Sequence, residues 1–598
     1  MATHTSGEAA SAKVTGERAA RDTIPHRLLR QAVEKPSTIA YQAKVNGRWQ
    51  PTTWCAYAEQ IRTAARALIA LGFPRGGKVA ILGFNRPEWV ILDHASMMAG
   101  GACAGIYTTC SAEEVHYIVH HSEAHVVLVE DASQLKKVME RRAELPHLRQ
   151  IVLMRGAAAS PDAMSWDDFL ARGSEVTEQT LDARLDAIEQ ADLATLIYTS
   201  GTTGPPKGVM LSHENLAWTA KTLIAVGGAR DEEVSLSYLP LSHIAEQMAT
   251  IHMPATAGST VYFAESIEKI ADNLKDARPT VFFGVPRIWE KFHAVLAKKL
   301  GEVTGIKKRL VDWSRKVASE VNALRDRDQP IPRGLGIQYS LAHRLVIGKL
   351  KTALGFDRVA VLISGAAPIA PDVLAFFASL DLPIREIYGQ SEDTGPTSFN
   401  LPGKTKLGSV GPPLPGLEVK IAEDGEILVR GPNVFLGYFK EPEATAETLK
   451  DGWLCSGDLG AFDTDGFLTI TGRKKEIIIT AGGKNIAPKN IEAAIKESPL
   501  VGEAVVIGDR RKFLTALVTI EETAAKEVGE RELREAVQTQ IDLVNKSLAR
   551  VEQVKKFAIL PKPFGIETGE LTPTMKIKRK VVAEMYSREI EAMYVDDN

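Results

Sequence analysis

Ala194-Thr-Leu-Ile-Tyr198-Thr-Ser-Gly-Thr-Thr-Gly-Pro-Pro-Lys207-Gly-Val-Met-Leu-Ser-His213 is a short apolar run that empties into a dense cluster of hydroxyls, glycines and one lysine. Gly201 and Gly204 let backbone N–H groups curl around an anion. Thr199, Ser200, Thr202 and Thr203 add hydroxyl donors, and Lys207 adds a point charge. The stretch reads as a phosphate-gripping loop beyond the carboxyl end of a buried strand, which is where α/β sheets bind ligands. It is not a Walker loop: the fifth residue after Gly201 is Pro206, and Lys207 is followed by Gly208 where that loop needs Ser or Thr.

Outward from this loop the chain alternates short apolar runs with helical spacing. Residues 54–70 carry Ala, Ile and Leu at helical intervals before Gly72. Lys78-Val-Ala-Ile-Leu-Gly83, His125-Val-Val-Leu-Val-Glu130 and Ile151-Val-Leu-Met154 read as strands, and 87–102 as an apolar helix. This alternation predicts an α/β fold with a largely parallel sheet. Downstream, 234–240 is a further strand candidate and 264–278 is helical. Residues 290–355 read as an added helical insert with basic clusters at Lys307-Lys-Arg309, Arg315-Lys316 and Lys349-Leu-Lys351. Such clusters ordinarily mark a solvated helix face, and the sharper reading is weak contact with an anionic membrane.

Two more strands, 359–364 and 383–387, end in Gly365-Ala-Ala-Pro368 and Tyr388-Gly-Gln-Ser-Glu392. Residues 418–430 alternate about an Asp-Gly turn, so an antiparallel sheet begins there. From Gly472 the composition becomes charged and punctuated, and 503–508 with 514–520 suggest a small separate α/β unit. The expected organisation is a loose tail over 1–21, a large domain over 22–473 and a small C-terminal domain over 474–598.

At 598 residues several domains are expected, and 72 basic against 75 acidic residues give a net charge of -3 that offers no support for nucleic acid as a partner. Cys55, Cys103, Cys110 and Cys455 form no C-x-x-C pair, which argues against a zinc site or a disulfide framework and for a reducing compartment. The first twenty residues hold no apolar signal region, and no window approaches a membrane span. A cytoplasmic protein, with peripheral membrane contact at most, is the expectation.

The remaining motifs carry oxygen ligands and cations. In Tyr388-Gly-Gln-Ser-Glu-Asp-Thr-Gly395, Glu392 suits a magnesium–phosphate site, which needs hard oxygens and only one or two carboxylates. Standing alone, this motif would be an acidic turn beside a core tyrosine. Asp458, after Trp453-Leu-Cys-Ser-Gly, can accept from ribose hydroxyls, and Arg473 brings an always-ionised fork nearby. Asp458 taken singly is equally a turn or capping aspartate. Lys576, in Leu571-Thr-Pro-Thr-Met-Lys-Ile-Lys-Arg579, sits on a terminal segment that can enter a site in one domain arrangement and leave it in another. His243 lies between apolar neighbours, where a lone histidine is usually structural.

Taken together these motifs resemble the adenylate-forming (AMP-binding) superfamily of acyl-CoA synthetases, luciferases and peptide-synthetase adenylation domains, from about Asp22 to Lys580. Within it the insert, Leu239-Pro-Leu-Ser-His243, Gly284-Val-Pro-Arg-Ile-Trp-Glu-Lys291 and Ile478-Ile-Thr-Ala-Gly-Gly-Lys-Asn485 look most like long-chain fatty acyl-CoA synthetases, especially the bubblegum type. The resemblance implies a large multi-subdomain domain with mostly parallel sheets and an antiparallel β subdomain, followed by a small mobile α/β domain. It implies a fatty acid, ATP and CoA as partners and Mg2+ as cofactor. The implied reaction makes acyl-adenylate and then acyl-CoA, with release of pyrophosphate and AMP.

By the same resemblance, Thr199 and Glu392 go with the metal and, with Lys576, with catalysis. Ser200, Gly201, Thr202, Thr203, Gly204 and Lys207 hold phosphates, and Ser391 the α-phosphate. Gly365, Ala366, Ala367, Tyr388, Gly389, Gln390, Ile470, Asp458 and Arg473 surround the nucleotide. His243, Gln247 and Gly284 line the substrate pocket, Lys475 is the hinge, and Gly482, Gly483 and Lys484 lie toward CoA. Lys484 departs from the glutamate that many members carry there. An enzyme loading a carrier-protein thiol would share every motif. A nucleotide-binding regulatory protein without chemistry is disfavoured by the joint presence of the loop, Glu392, Asp458 and Lys576.

Overall fold

The strand Leu193–Thr199 is buried along nearly its whole length and sits third in an eight-stranded sheet. The sheet order is Gly437–Tyr438, Lys207–Ser212, Leu193–Thr199, Ala102–Ile106, Lys78–Leu82, Ala124–Val129, Gln150–Leu153 and Ala163–Ser165. From Leu193–Thr199 toward Ala163–Ser165 every pairing is parallel. On its other side Leu193–Thr199 pairs antiparallel with Lys207–Ser212, with Thr199 opposite Lys207. Leu193–Thr199 and Lys207–Ser212 are therefore the two arms of a hairpin, and Lys207 begins the returning strand. This computed structural model describes residues 22–595 apart from 157–159, 161, 200–204, 229–231, 482–483, 522–528 and 573–575.

The helix expected over 87–102 ends at Met98, and Ala102–Ile106 is a fully buried strand. Gly100 takes φ 81° between them, and a Cβ on Gly101 would come within 2.4 Å of the Gly77 carbonyl oxygen. The small residues Ala-Cys-Ala-Gly of this strand let another segment press close. A Cβ on Gly105 would lie 2.7 Å from Ser242 Cα, so the turn carrying His243 rests directly on the sheet. Apolar periodicity cannot separate such a strand from the end of the preceding helix.

A second sheet runs Val234–Ser237, Thr260–Phe263, Ile39–Val45, Arg48–Thr53. A third pairs Val281–Gly284, Val361–Ser364 and Ile384–Tyr388 in parallel, closed by antiparallel Ser398–Phe399. Their carboxyl ends, at Gly284, Ser364 and Tyr388, share one edge. Between the first two strands of this third sheet the insert forms helices Pro286–Gly301, Gly305–Arg325 and Arg333–Ala342, the last continuing through a wide turn, His343–Ile347, into Gly348–Leu354. It begins four residues earlier than expected because Pro286 is preorganised for the first helical position.

The antiparallel sheet expected after residue 418 is present: Glu418–Ile421 pairs with Glu426–Arg430, which pairs with Trp453–Phe462. Trp453–Phe462 also pairs with Leu468–Arg473, placing Asp458 opposite Arg473. Beyond it, Val501–Ile507 and Leu514–Ile520 are antiparallel, and Val554–Ile559 joins in parallel. Helices Pro488–Ile495 and Glu530–Lys546 contribute Ile491, Ile495, Val537 and Ile541 to the core of this unit. Among the described residues no helix is long and apolar enough to cross a membrane.

Candidate active site

A cavity of about 1200 Å3 opens at the carboxyl edges of these strands, where the hairpin, the third sheet, the antiparallel sheet and the C-terminal unit meet. Its polar part is built on Asp458. Arg473 Nε donates to Asp458 Oδ1 at 2.8 Å, and the Tyr388 hydroxyl donates to Oδ2 at 3.0 Å. Both oxygens are thus held facing the cavity by neighbours that fix the carboxylate's plane. Gln390 Nε2 donates to the Ser456 carbonyl at 3.2 Å, tying the turn after Tyr388 to the same strand.

That turn is sterically restricted. A Cβ on Gly389 would fall 1.7 Å from the Gly395 carbonyl oxygen, so only glycine fits. Beneath it Asp393 is fully buried and accepts from the Gln390 N–H at 2.7 Å and from the Thr397 hydroxyl. Burial pushes its pKa up to about 8 against those hydrogen bonds, so it is a neutral acid near pH 7. Glu392 instead faces the cavity, and Tyr438 donates to its Oε1 at 2.8 Å. Lys207 Nζ stands 5.0 Å from the Tyr438 ring centroid and 3.8 Å from Glu441. Tyr438 thereby joins Lys207 to Glu392. Thr199 lines the same cavity. One carboxylate and one hydroxyl form a hard-oxygen donor set that suits Mg2+, which takes its remaining ligands from phosphates and water.

Lys576 enters from the C-terminal unit and borders the cavity. Its side chain is exposed within the cleft. Loss of hydration at the cavity wall, then the positive charges of Arg473 and Lys489, lower its pKa to about 8, opposed by Asp458 and Glu392. His243 caps the short helix Ile244–Gln247, its Nδ1 accepting from the Ala245 N–H at 3.1 Å. Burial, then the charge of Lys576, hold its pKa near 4. It is therefore a neutral imidazole whose proton sits on Nε2.

Past His243 the cavity continues as an apolar branch lined by Leu223, Ile224, Leu236, Met248, Met253, Val281, Phe283 and Ile363. Polar groups border the cavity here as well, Glu246 among them. Glu246 accepts from Thr250 Oγ1 at 2.7 Å, Ser237 Oγ at 2.8 Å and Asn85 Nδ2 at 3.3 Å, and burial raises its pKa to about 7. Tyr438 and Glu246 line the same cavity although neither is singled out in the sequence. Each pairs with a residue far along the chain, Tyr438 with Glu392 and Glu246 with Asn85.

Of the residues singled out in the sequence, Thr199, Lys207, His243, Ala366, Ala367, Tyr388, Gly389, Gln390, Ser391, Glu392, Asp458, Ile470, Arg473, Lys475 and Lys576 border this one cavity. Three others expected at the ligand stand behind it. Gln247 is wholly buried, and its Oε1 accepts from the Thr195 hydroxyl at 3.4 Å. Gly284 is glycine because a Cβ would meet the Trp289 indole at 2.8 Å, and Gly365 because a Cβ would meet Ile387 Cγ2 at 2.7 Å. Lys484 is exposed away from the cavity, its carbonyl accepting from the Thr480 N–H at 3.1 Å. Ser200, Gly201, Thr202, Thr203, Gly204, Gly482 and Gly483 lie outside the described residues.

A family model described as AMP-binding enzyme matches residues 28–439, and one described as AMP-binding enzyme C-terminal domain matches 475–598. The chain is 39% identical to the long-chain-fatty-acid–CoA ligase ACSBG2 of Xenopus laevis, covering 96% of this chain and 84% of that protein. It is 37% identical to the protein of the same name from Homo sapiens, over 96% and 92% of the two chains. With the long-chain-fatty-acid–CoA ligase FadD15 of Mycobacterium bovis it shares 39% identity over 96% and 97%. These names agree with the resemblance read from the motifs. Among solved structures, the A domain of carboxylic acid reductase from Segniliparus rugosus, in complex with AMP and a co-purified carboxylic acid, superposes with a TM-score of 0.75 at 21% identity over 97% and 96% of the chains, and so shares the fold. On the breadth of these matches, the chain belongs to the AMP-binding enzyme family.

Proposed function

We propose that the chain is a long-chain fatty acid–CoA ligase that forms acyl-adenylate and then acyl-CoA, releasing pyrophosphate and AMP. The observation that carries this reading is the single cavity in which a polar cleft holding Asp458, Arg473, Glu392 and Lys576 runs past His243 into an apolar branch. In the first step a carboxylate oxygen of the acid attacks the α-phosphorus of ATP, and the bond to the bridging oxygen breaks to release pyrophosphate. The acid is already ionised at neutral pH, so no general base is required. His243 Nε2–H is a neutral donor suited to orienting the carboxylate, and the apolar branch takes the chain.

Asp458 receives the ribose hydroxyls, with Arg473 and Tyr388 fixing its orientation. Lys207 and the hydroxyl-rich loop grip the departing phosphates, Ser391 the α-phosphate, and Lys576 stabilises charge developing at the reacting centre. Mg2+, held by Glu392 and Thr199, would neutralise phosphate charge. The unit over 474–598 then swings about Lys475, withdrawing Lys576 and bringing Gly482, Gly483 and Lys484 toward the cleft. The CoA sulfur, having lost its proton, attacks the adenylate carbonyl carbon, and AMP leaves. A cytoplasmic location with peripheral membrane contact completes the reading.

ATP–pyrophosphate exchange across a panel of acids, followed by turnover with free CoA, tests this. Exchange dependent on a long-chain acid and CoA-dependent AMP release are expected. Exchange without a fatty acid, or turnover only with a carrier-protein thiol, would overturn it.

A further inference from the structure

The insert between the strands Val281–Gly284 and Val361–Ser364 is charged unlike the rest of the molecule. Residues 286–355 hold 15 basic and 6 acidic side chains, a net charge of +9 in a chain of net charge -3, so the remainder carries -12. Its last helical run, 333–354, is anchored on one side. Ala342 and Ile347 are buried against Val317 and Ala318, and the Tyr339 hydroxyl donates to Asp381 Oδ2 at 2.9 Å. The other side faces outward with a regular pattern. Arg333, Ile337, Leu341, Leu345 and Lys349 recur every four residues, and the wide turn His343–Ile347 keeps that spacing in line along the helix. Ile337, Leu341 and Leu345 are 73%, 49% and 39% exposed.

At the far end of this stripe a shallow cavity of about 560 Å3 is bordered by His343, Arg344, Lys349, Lys351, Thr352 and Asp357. Asp357 is already engaged by Arg278, and Lys351 by Asp381 at 3.0 Å. Arg344 and Lys349 form no ion pair among the described residues, so their charge is available to an outside anion.

We propose that this face is a docking surface for an anionic phospholipid membrane, with Ile337, Leu341 and Leu345 entering the headgroup–acyl boundary while Arg333, Arg344 and Lys349 meet phosphates. A row of single apolar residues flanked by cations is what a helix lying in that boundary presents. At roughly 33 Å the 22-residue run is long enough to lie along the surface. The choice of lipid as occupant also rests on the fatty-acid reading: both strands joined by the insert border the apolar branch, at Val281, Phe283, Val361 and Ile363.

Co-sedimentation of the full chain with phosphatidylcholine vesicles, with and without phosphatidylglycerol, tests the proposal. Binding to the anionic vesicles alone, weakening with salt, is expected. The triple variant Ile337→Ser, Leu341→Ser, Leu345→Ser and the double variant Arg344→Glu, Lys349→Glu should each lower partitioning by about tenfold or more. All these positions are exposed, so thermal unfolding and turnover of detergent-solubilised acid should not change. Wild-type chain that ignores anionic vesicles, or variants that bind as wild type does, would overturn the proposal. So would substitutions that only dissolve a dimer or release an acidic protein. Turnover of solubilised acid is read on the same preparations, so a failure of the catalytic reading would show separately from a failure of docking.

Discussion

Lys576 carries its charge among cations. At the wall of the cleft, with Arg473 and Lys489 nearby, its pKa stands near 8, below the ordinary ~10.4 of lysine. The phosphates of ATP supply the missing counter-charge and should restore the higher value. At about pH 9 the free site holds Lys576 mostly neutral and the ATP-bound site holds it protonated, so ATP binding should take up nearly one proton. Near pH 7 the lysine is charged in both states and uptake should be small. Calorimetry in buffers of different ionisation enthalpy reads this directly, and Lys576→Met should abolish the pH 9 uptake. Single residues of this kind were legible through motifs taken together: Lys576, Asp458, Glu392 and His243 are each ambiguous alone, are singled out by the family resemblance, and do share one cavity. Tyr438 and Glu246 were not, because their partners Glu392 and Asn85 lie 46 and 161 residues away.

At the scale of the element, the turn after Ile384–Tyr388 depends on one missing atom. Gly389→Ala would drive a methyl into the Gly395 carbonyl and should destabilise the large domain by roughly 3 kcal/mol, with weakened ATP binding. Gly336→Ala is the control: it lies inside the helix Arg333–Ala342 with its nearest neighbour 4.0 Å away, and should be neutral or stabilise by up to about 1 kcal/mol. Denaturant unfolding of the two variants would distinguish them, and similar shifts would contradict the steric argument. The strands Lys78–Leu82 and Leu193–Thr199 were visible as short apolar runs bounded by breakers. Ala102–Ile106 was hidden because its small residues continue the composition of the preceding helix. Lys207–Ser212 was hidden because it becomes a strand only by pairing back on Leu193–Thr199.

The whole molecule poses a question of arrangement. Alternating strands and helices announced the α/β class, but the order of eight strands depends on contacts between distant segments that no local pattern encodes. In this structure Lys576 and Lys489 from beyond residue 473 border the same cavity as Asp458 and Glu392, an arrangement suited to the first chemical step. Between them Lys475 sits in the short turn Lys474–Glu476. Lys474 is tied to Asp424 at 2.6 Å and Glu426 at 2.9 Å on one side, and Lys489 to Glu476 at 3.2 Å on the other, so Lys475 is where the chain passes between two tethered segments. Lys475→Pro, which fixes φ, should keep adenylate formation within roughly twofold of wild type and lower thioester formation by about tenfold or more. Equal effects on both steps would place the pivot elsewhere.

The most direct test separates the two steps in the Lys576→Ala variant. One rate is acyl-adenylate formation from a long-chain acid and ATP, and the other is thioester formation from supplied acyl-adenylate and CoA. A loss of about a hundredfold or more in the first, with the second within roughly twofold of wild type, is the expected result. Equal losses in both would contradict the assignment of Lys576 to an adenylate-forming arrangement that gives way to another.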